Sequence, residues 1–335
     1  MTDSSRPEVC VVTGVAGFVG SHLADRLLAR GARVIGVDCF SDYYQRERKL
    51  ANLDRLRASG RFELRELDLA ADDVTGLLAE AEVIYHQAGQ PGVRASWGAD
   101  FATYLRQNVL ATQRLLEAAV TAPGLRRFVY ASSSSVYGDA EELPTTERAL
   151  PRPVSPYGVT KLAAEHLCGL YGRLGVPTVS LRYFTVYGPR QRPDMAFSKF
   201  IRALLDDRVI AIHGDGEQTR DVTYVGDVVA ANLAAGDPDR AVEAGSVYNI
   251  GGGSRTSLNH ILRLLESATG HPLRVRYDAQ PPGEARDTHA DCTAARRDLA
   301  YSPSTSLQQG LAAQVEWIER ERVDTHEHHH RAGDT

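Results

Sequence analysis

The stretch VCVVTGVAGFVGSHLADRLLARG, residues 9–31, restricts this chain more than any other. Its opening run is short, apolar and β-branched. A strand built from it offers no polar face to water, so both of its sides must be covered. Val19, Leu23 and Leu27 then recur at helical spacing until Gly31 ends the pattern. The unit returns along the chain. ARVIGVD, FELRELDL, VIYHQAG, RFVYASS and PTVSLRYF read as further strands with helical segments between them, the two strongest at 99–121 and 156–174. Apolar strands alternating with helices predict an α/β fold, a Rossmann-like doubly wound parallel sheet.

The pattern changes after residue 188. GPRQRPDM is a Pro/Arg-rich loop, and the short strands VIAIHG, SVYNIG and LRVRY mix with helices such as SLNHILRLLESATG and LQQGLAAQVEWIER. The expected organisation is a dinucleotide-binding domain over 1–188 and a smaller mixed α/β C-terminal substrate lobe over 189–335, with some later segments returning to the first domain.

With 335 residues, 43% of them hydrophobic, the chain suits one large unit or two joined lobes. The net charge of −5 carries no single-sign block, which argues against nucleic acid or an anionic membrane as partner. No apolar run approaches the roughly 18 residues of a membrane span. MTDSSRPEV lacks the basic and apolar regions of a signal peptide. Cys10, Cys39, Cys168 and Cys292 lie far apart without a C-x-x-C, and read as reduced thiols of a cytoplasmic protein with no metal site. The tail THEHHHRAGDT, with His326, His328, His329 and His330, reads as a frayed terminus.

Gly14, Gly17 and Gly20 form a G-x-x-G-x-x-G between a strand and a helix. Glycine lets the turn bend and the backbone approach a pyrophosphate, while the helix N-terminus supplies free N–H donors and partial positive charge. Asp38 ends the second strand, 18 residues after Gly20, where a carboxylate can accept bonds from a ribose diol. It would repel a 2′-phosphate, which favours NAD over NADP. Asp68 ends the next strand and is a candidate for the adenine edge.

In SPYGVTKLAAEHLCGLYGRLG, Tyr157 and Lys161 are i and i+4 and project from one helix face, with Val159, Ala163, His166 and Leu170 expected as packing residues. A free phenol, with a pKa of about 10, is too weakly acidic to act as a base near neutrality. A cation about 4 Å away contributes roughly 4 kcal/mol at an effective dielectric near 20. Lys161 and an oxidised nicotinamide are therefore expected to bring Tyr157 within reach of base chemistry, with Ser133 holding the reacting hydroxyl.

TGVAGFVG, YASSSSVYG, SPYGVTK, LRYFTVYGPRQRPDMAF and GDGEQTRDVTYVGDVV, in this order and across almost the whole chain, resemble the extended short-chain dehydrogenase/reductases of the NAD-dependent nucleotide-sugar epimerase/dehydratase family. The resemblance implies a catalytic triad of Ser133, Tyr157 and Lys161. It implies NAD contacts from Gly14, Gly17, Phe18, Val19, Asp38, Asp68, Leu69, Gln87, Ala88, Asn108 and Tyr183 besides the Tyr–Lys pair. It also implies a homodimer packed through the two long helices.

Dehydratases of this family carry Asp-Glu before V-Y-G, and the decarboxylases usually Glu before the Val. Here Ser134 and Ser135 stand there. A serine with no ionisable partner cannot protonate a leaving hydroxyl, which points to redox chemistry at one carbon, a 4-epimerisation. Arg190 and Arg192 follow a strand expected to end at the site, and arginine forks suit carboxylates or phosphates. TVYGPRQRPDMAF and QPGVRASWG are similar to the UDP-glucuronate 4-epimerases. That likeness implies contacts from Arg192 and Thr185 to a sugar carboxylate, to which the Ser134 and Ser135 hydroxyls are expected to add; Gln218 and Arg220 match family positions beneath the nucleotide, and Arg94 and Arg286 are further candidates, the latter for a phosphate. Decarboxylation of UDP-glucuronate and 4-epimerisation of a neutral UDP-sugar stay open, since both use the same Tyr–Lys pair. An NAD-binding sensor would keep the glycines without needing that pair.

Overall fold

A computed structural model of the chain describes residues 7–279, 283 and 285–333. Its strands are β1 (Val9–Thr13), β2 (Arg33–Asp38), β3 (Phe62–Glu66), β4 (Val83–His86), β5 (Arg127–Ser133), β6 (Thr178–Tyr183), β7 (Thr185–Tyr187), β8 (Ile210–His213), β9 (Thr219–Tyr224), β10 (Ser246–Ile250), β11 (Arg255–Ser257) and β12 (Val275–Asp278). Seven of them form a parallel sheet in the order β10-β6-β5-β4-β1-β2-β3. The order reverses between β1 and β4. In such a sheet the crevice beyond the carboxyl ends of these strands is where ligands bind.

The strand alternation explains why the apolar runs are continuous. In β1, Cys10 and Val12 pack into the core on one side of the sheet, Val9 and Val11 into the core on the other. Val129 of β5 faces the first core, Phe128 and Tyr130 the second. A third core, with Phe197, Ile201, Ile212, Leu262 and Ile318, fills the smaller lobe. That lobe contains the sheet β11-β9-β7 and the pair β12-β8.

Chain position and sheet membership diverge at two places: β7, before residue 188, pairs with β9 in the smaller sheet, and a late strand joins the large one. β10 comes late in the sequence yet pairs in parallel with β6, Tyr248 beside Leu181. The helix Pro156–Arg173 also differs from expectation. Its packed face carries Thr160, Lys161, Ala164, Cys168 and Tyr171, whereas Val159 and Leu170 are 47% and 44% exposed and His166 faces solvent. The segment read as one helix over 99–121 is helical throughout but runs as a π-helix from Leu105 to Leu110. His326, His328, His329 and His330 belong to the helix Leu307–Gly333, but their side chains lie outside the described residues.

Candidate active site

One cleft of about 1210 Å³ opens along the carboxyl ends of the parallel strands and continues under the smaller lobe. Its first wall is the turn after β1. Gly14 has φ +66°, and a Cβ there would sit 2.8 Å from backbone atoms of Ala88; a Cβ on Gly20 would meet the carbonyl oxygen of Gly14 at 2.2 Å. No larger residue fits either position without moving backbone. The helix Phe18–Ala29 begins at Gly17 with no side-chain cap and no acidic residue in its first turn. Its leading N–H groups are thus left to an anion in the cleft, which Gly17, Phe18 and Val19 line.

Asp38 accepts the backbone N–H groups of Ala16 (3.1 Å) and Phe40 (2.9 Å), one on each oxygen. These bonds aim the carboxylate and leave lone pairs free. Burial raises its pKa, and the Phe40 bond, the Lys49 charge and the Ala16 bond oppose that rise. Leu69, Gln87, Ala88 and Tyr183 also reach the cleft. The Tyr183 hydroxyl is fixed against Gln87 and Asn232 at 3.0 and 2.9 Å.

Two candidates stand behind the wall. Asp68 is paired with Arg106 (2.7 Å) and Gln107 (3.3 Å), outside the cleft lining. Asn108 is buried, and its amide bonds both backbone groups of Gln90, at 2.6 and 3.1 Å, and Thr160 at 3.0 Å. It therefore ties the loop after β4 to the helix Pro156–Arg173. The π-helical segment leaves the Asn108 carbonyl to the Thr112 hydroxyl (2.7 Å), and His86 bridges Thr112 (2.9 Å) to Thr13 (2.7 Å). Burial lowers the His86 pKa to about 3, so this bridge is neutral.

Ser133 ends β5 and accepts the N–H of Ser135 at 3.1 Å. Ser133, Ser134, Ser135, Tyr157 and Lys161 face the cleft together. Ser155 caps the helix through Gly158 N–H at 3.1 Å, with Pro156 in the first turn, which sets Tyr157 at the helix mouth. Gly158 lets that mouth approach the serine turn, because a Cβ there would lie 2.5 Å from the Ser135 carbonyl oxygen. Gly158→Ala is expected to shift Tyr157 against Ser133 and lower kcat by roughly 10–100-fold. Binding of the UDP that the resemblance implies, expected at the Gln218 and Arg220 end of the cleft, should change little. Steady-state kinetics beside calorimetric UDP titration check this, and an unchanged kcat would count against it.

The electrostatics of the pair differ from the expectation. Burial raises the Tyr157 pKa, and the groups that pull it back are Ser133, by a hydrogen bond, and Arg192, by charge. Lys161 is buried, sits 4.6 Å above the Tyr130 ring and is itself lowered to about 8. An ammonium lowered that far loses its proton before a phenol raised above its usual value. The i, i+4 spacing assigns the pull on Tyr157 to Lys161 together with an oxidised nicotinamide; in the structure the cation that lowers it is Arg192, and Lys161 is not among the groups that do.

The two arginines of the RQR segment part company. Arg190 pairs with Asp25 at 2.7 Å, on the helix after β1. Arg192 lines the cleft and is held in a two-pronged pair with Asp194, Nε to Oδ1 and Nη2 to Oδ2, both at 3.0 Å. Thr185, Arg94, Gln218 and Arg220 also line the cleft. The Gln218 amide donates to the His213 carbonyl at 2.7 Å, and its oxygen is buried without a protein partner, as a ligand-facing acceptor would be. Arg286 lies off the cleft, exposed and paired with Asp215 at 3.0 Å, although its carbonyl accepts from Arg220 at 2.7 Å.

Several lining residues carried no signal of their own in the sequence. Tyr43, Tyr44 and Lys49 come from the loop and helix after β2, and Asp194, Phe200 and His213 from the smaller lobe. Only Asp194 had a local cue, a carboxylate two residues from a cleft arginine.

Comparison with known proteins agrees with this geometry. Residues 10–251 match the model of the NAD dependent epimerase/dehydratase family. The crystal structure of UDP-glucuronic acid 4-epimerase from Bacillus cereus, in complex with UDP-glucuronic acid and NAD, is similar with a TM-score of 0.89 and 42% identity. The alignment covers 93% of this chain and 99% of that one. An uncharacterized UDP-glucose epimerase of Bacillus subtilis is 42% identical over 310 residues, covering 92% of this chain and 97% of its own. UDP-glucuronate 4-epimerase of Thermodesulfobacterium geofontis is 34% identical over 312 residues, covering 92% and 95%.

Proposed function

The chain belongs to the NAD-dependent epimerase/dehydratase family, and from that premise we propose that it is a UDP-glucuronate 4-epimerase. It interconverts UDP-glucuronic and UDP-galacturonic acid through a 4-keto sugar, without losing the carboxylate. The observation that carries this reading is Arg192, set on the cleft wall close enough to bias Tyr157, beside hydroxyls at Ser134 and Ser135 where an acid would serve other reactions. The B. cereus 4-epimerase that this chain resembles holds UDP-glucuronic acid and NAD.

The glycine turn, the open helix N-terminus and Asp38 fit NAD, which when bound supplies the hydride acceptor and donor. Tyr157 takes the proton of the C4 hydroxyl and later returns it, and Ser133 orients that hydroxyl. Arg192 lowers the cost of the phenolate, and Lys161, on the same helix face and lining the cleft, would hold NAD beside Tyr157. The 4-keto uronate is a β-keto acid, and it loses carbon dioxide when the C5–C6 bond overlaps the carbonyl π system. Arg192, Thr185, Ser134 and Ser135 hold the carboxylate out of that alignment. Gln218 and Arg220 hold the nucleotide while the sugar turns over.

Incubation with UDP-glucuronate in D₂O, followed by NMR, tests the reading. UDP-galacturonate should form with no deuterium on carbon, little UDP-pentose and no net consumption of NAD. UDP-pentose as the main product, or deuterium at C5, would overturn it. The second reading, a neutral-sugar 4-epimerase, draws support from Asp194, which already answers part of the Arg192 charge.

A homodimer fits the apolar residues left exposed on the two long helical segments and their ends, among them Leu105 and Leu110 on one and Val159, Leu170 and Leu174 on the other. Among the described residues no helix is long and apolar enough to cross a membrane. The four cysteines are free thiols, three of them buried, in keeping with a cytoplasmic location.

A further inference from the structure

We infer that Asp194 sets the sugar selectivity of this site, by sharing the charge of Arg192 so that both a uronate and an uncharged hexose are accepted; the inference rests on the functional reading above. Arg192 and Asp194 flank Pro193 in a tight turn in which the Met195 N–H bonds the Arg192 carbonyl at 3.2 Å. The turn holds the two side chains in register, and both prongs of the pair measure 3.0 Å. The Tyr43 hydroxyl, in the segment after β2, donates to the same carboxylate at 3.2 Å. Side-chain exposure is 18% for Arg192 and 33% for Asp194, so the pair is partly withdrawn from water.

A guanidinium has five N–H donors, and Asp194 engages two of its nitrogens through one N–H each. Three donors remain for a substrate. A lone arginine at this depth would be stranded when an uncharged hydroxymethyl group arrived, because an unpaired charge out of water is costly. Asp194 removes that penalty. It also weakens the grip on a uronate, whose carboxylate must share the guanidinium and approach a second carboxylate of the same sign. Selectivity is a difference of two affinities, and Asp194 acts on both in the direction that lessens it.

Removing the charge should reverse both effects. In Asp194→Asn and Asp194→Ser holoenzymes, the ratio of kcat/KM for UDP-glucuronate to that for UDP-glucose should rise by about tenfold, a modest value because the pair is partly exposed. The Kd ratio of the two sugars, measured on a Tyr157→Phe background, should rise in parallel. Asp194→Glu keeps the charge and should stay close to wild type in both ratios. A merely structural role would lower the two activities together and leave the ratios where they are. An unmoved or falling ratio in the neutral variants, or an equal rise in Asp194→Glu, overturns the assignment. Wild-type protein that turns over UDP-glucose but not UDP-glucuronate overturns the functional reading instead. The two neutral variants differ in size, so loss of folding in one leaves the other to decide.

Discussion

Tyr157→Phe is expected to lower turnover of UDP-glucuronate by about 10²–10⁴, the usual cost of losing a positioned proton-transfer group. Binding of the nucleotide sugar should be nearly intact. The substitution removes one oxygen, whose protein contact is the Ser133 hydrogen bond, and leaves a ring that still meets Tyr104 edge-on at 6.3 Å. The loss should therefore appear in kcat with little change in Kd. Lys161→Met should be slow as well, for a different reason. Lys161, its pKa lowered to about 8 by burial, lines the cleft with Tyr157 and would hold the cofactor there, a contact that methionine cannot make. Single-turnover kinetics with calorimetric Kd values check both variants. A Tyr157→Phe enzyme with near-normal kcat would remove the proposed base.

Arg192→Ala should weaken UDP-glucuronate far more than UDP. Truncating one partner of a desolvated charge pair costs roughly 2–5 kcal/mol, or about 30- to several-thousand-fold in Kd. The effect should fall in the upper part of that range. The variant loses the cation proposed to face the sugar carboxylate and leaves Asp194 as a like charge there, held by Tyr43 alone among the side chains it bonds here. Loss of the clamp should also raise the fraction of turnovers that end in UDP-pentose. Titrations with UDP and UDP-glucuronate, together with product NMR, check this. Equal weakening of both ligands would assign Arg192 to the diphosphate.

Both predictions depend on distances that no spacing rule supplies. The sequence places Tyr157 and Lys161 on one helix face because i and i+4 always share a face. It does not say what lies above that face. Arg192 is 35 residues further on, and its influence on Tyr157 exists because the segment after β7 folds back over the carboxyl ends of β5 and β6. The same limit applies to Arg190 and Arg192, two residues apart and alike in composition. One answers Asp25 on the first helix and the other lines the cleft.

Asn108 and Asp68 mark the boundary from the other side. Both are polar residues next to the cofactor end of the cleft, yet their hydrogen-bonding capacity is engaged within the protein, Asn108 by Gln90 and Thr160 and Asp68 by Arg106, Gln107 and Ala70. Residue type alone does not report whether a polar side chain lines a cleft or is engaged by the protein beside it.

What the chain determines by itself is local and periodic. Continuous apolar strands between helices require a parallel sheet covered on both faces, and glycines at 14, 17 and 20 require a turn that a side chain would block. The helix that carries Tyr157 starts where Ser155 and Pro156 can start it. Those features follow from sterics and burial within a few residues of each other. Tertiary structure decides what depends on which distant segments meet. It brings late β10 into the large sheet beside β6. It turns Val159 and Leu170 outward on a helix whose apolar residues are spread around its circumference. It also sets Asp194 against Arg192 with Tyr43 closing the pair from another part of the chain. Periodicity reports that a face is apolar or a residue charged; the partner is chosen by packing, where shape and desolvation over the whole fold settle which contacts can be made at once.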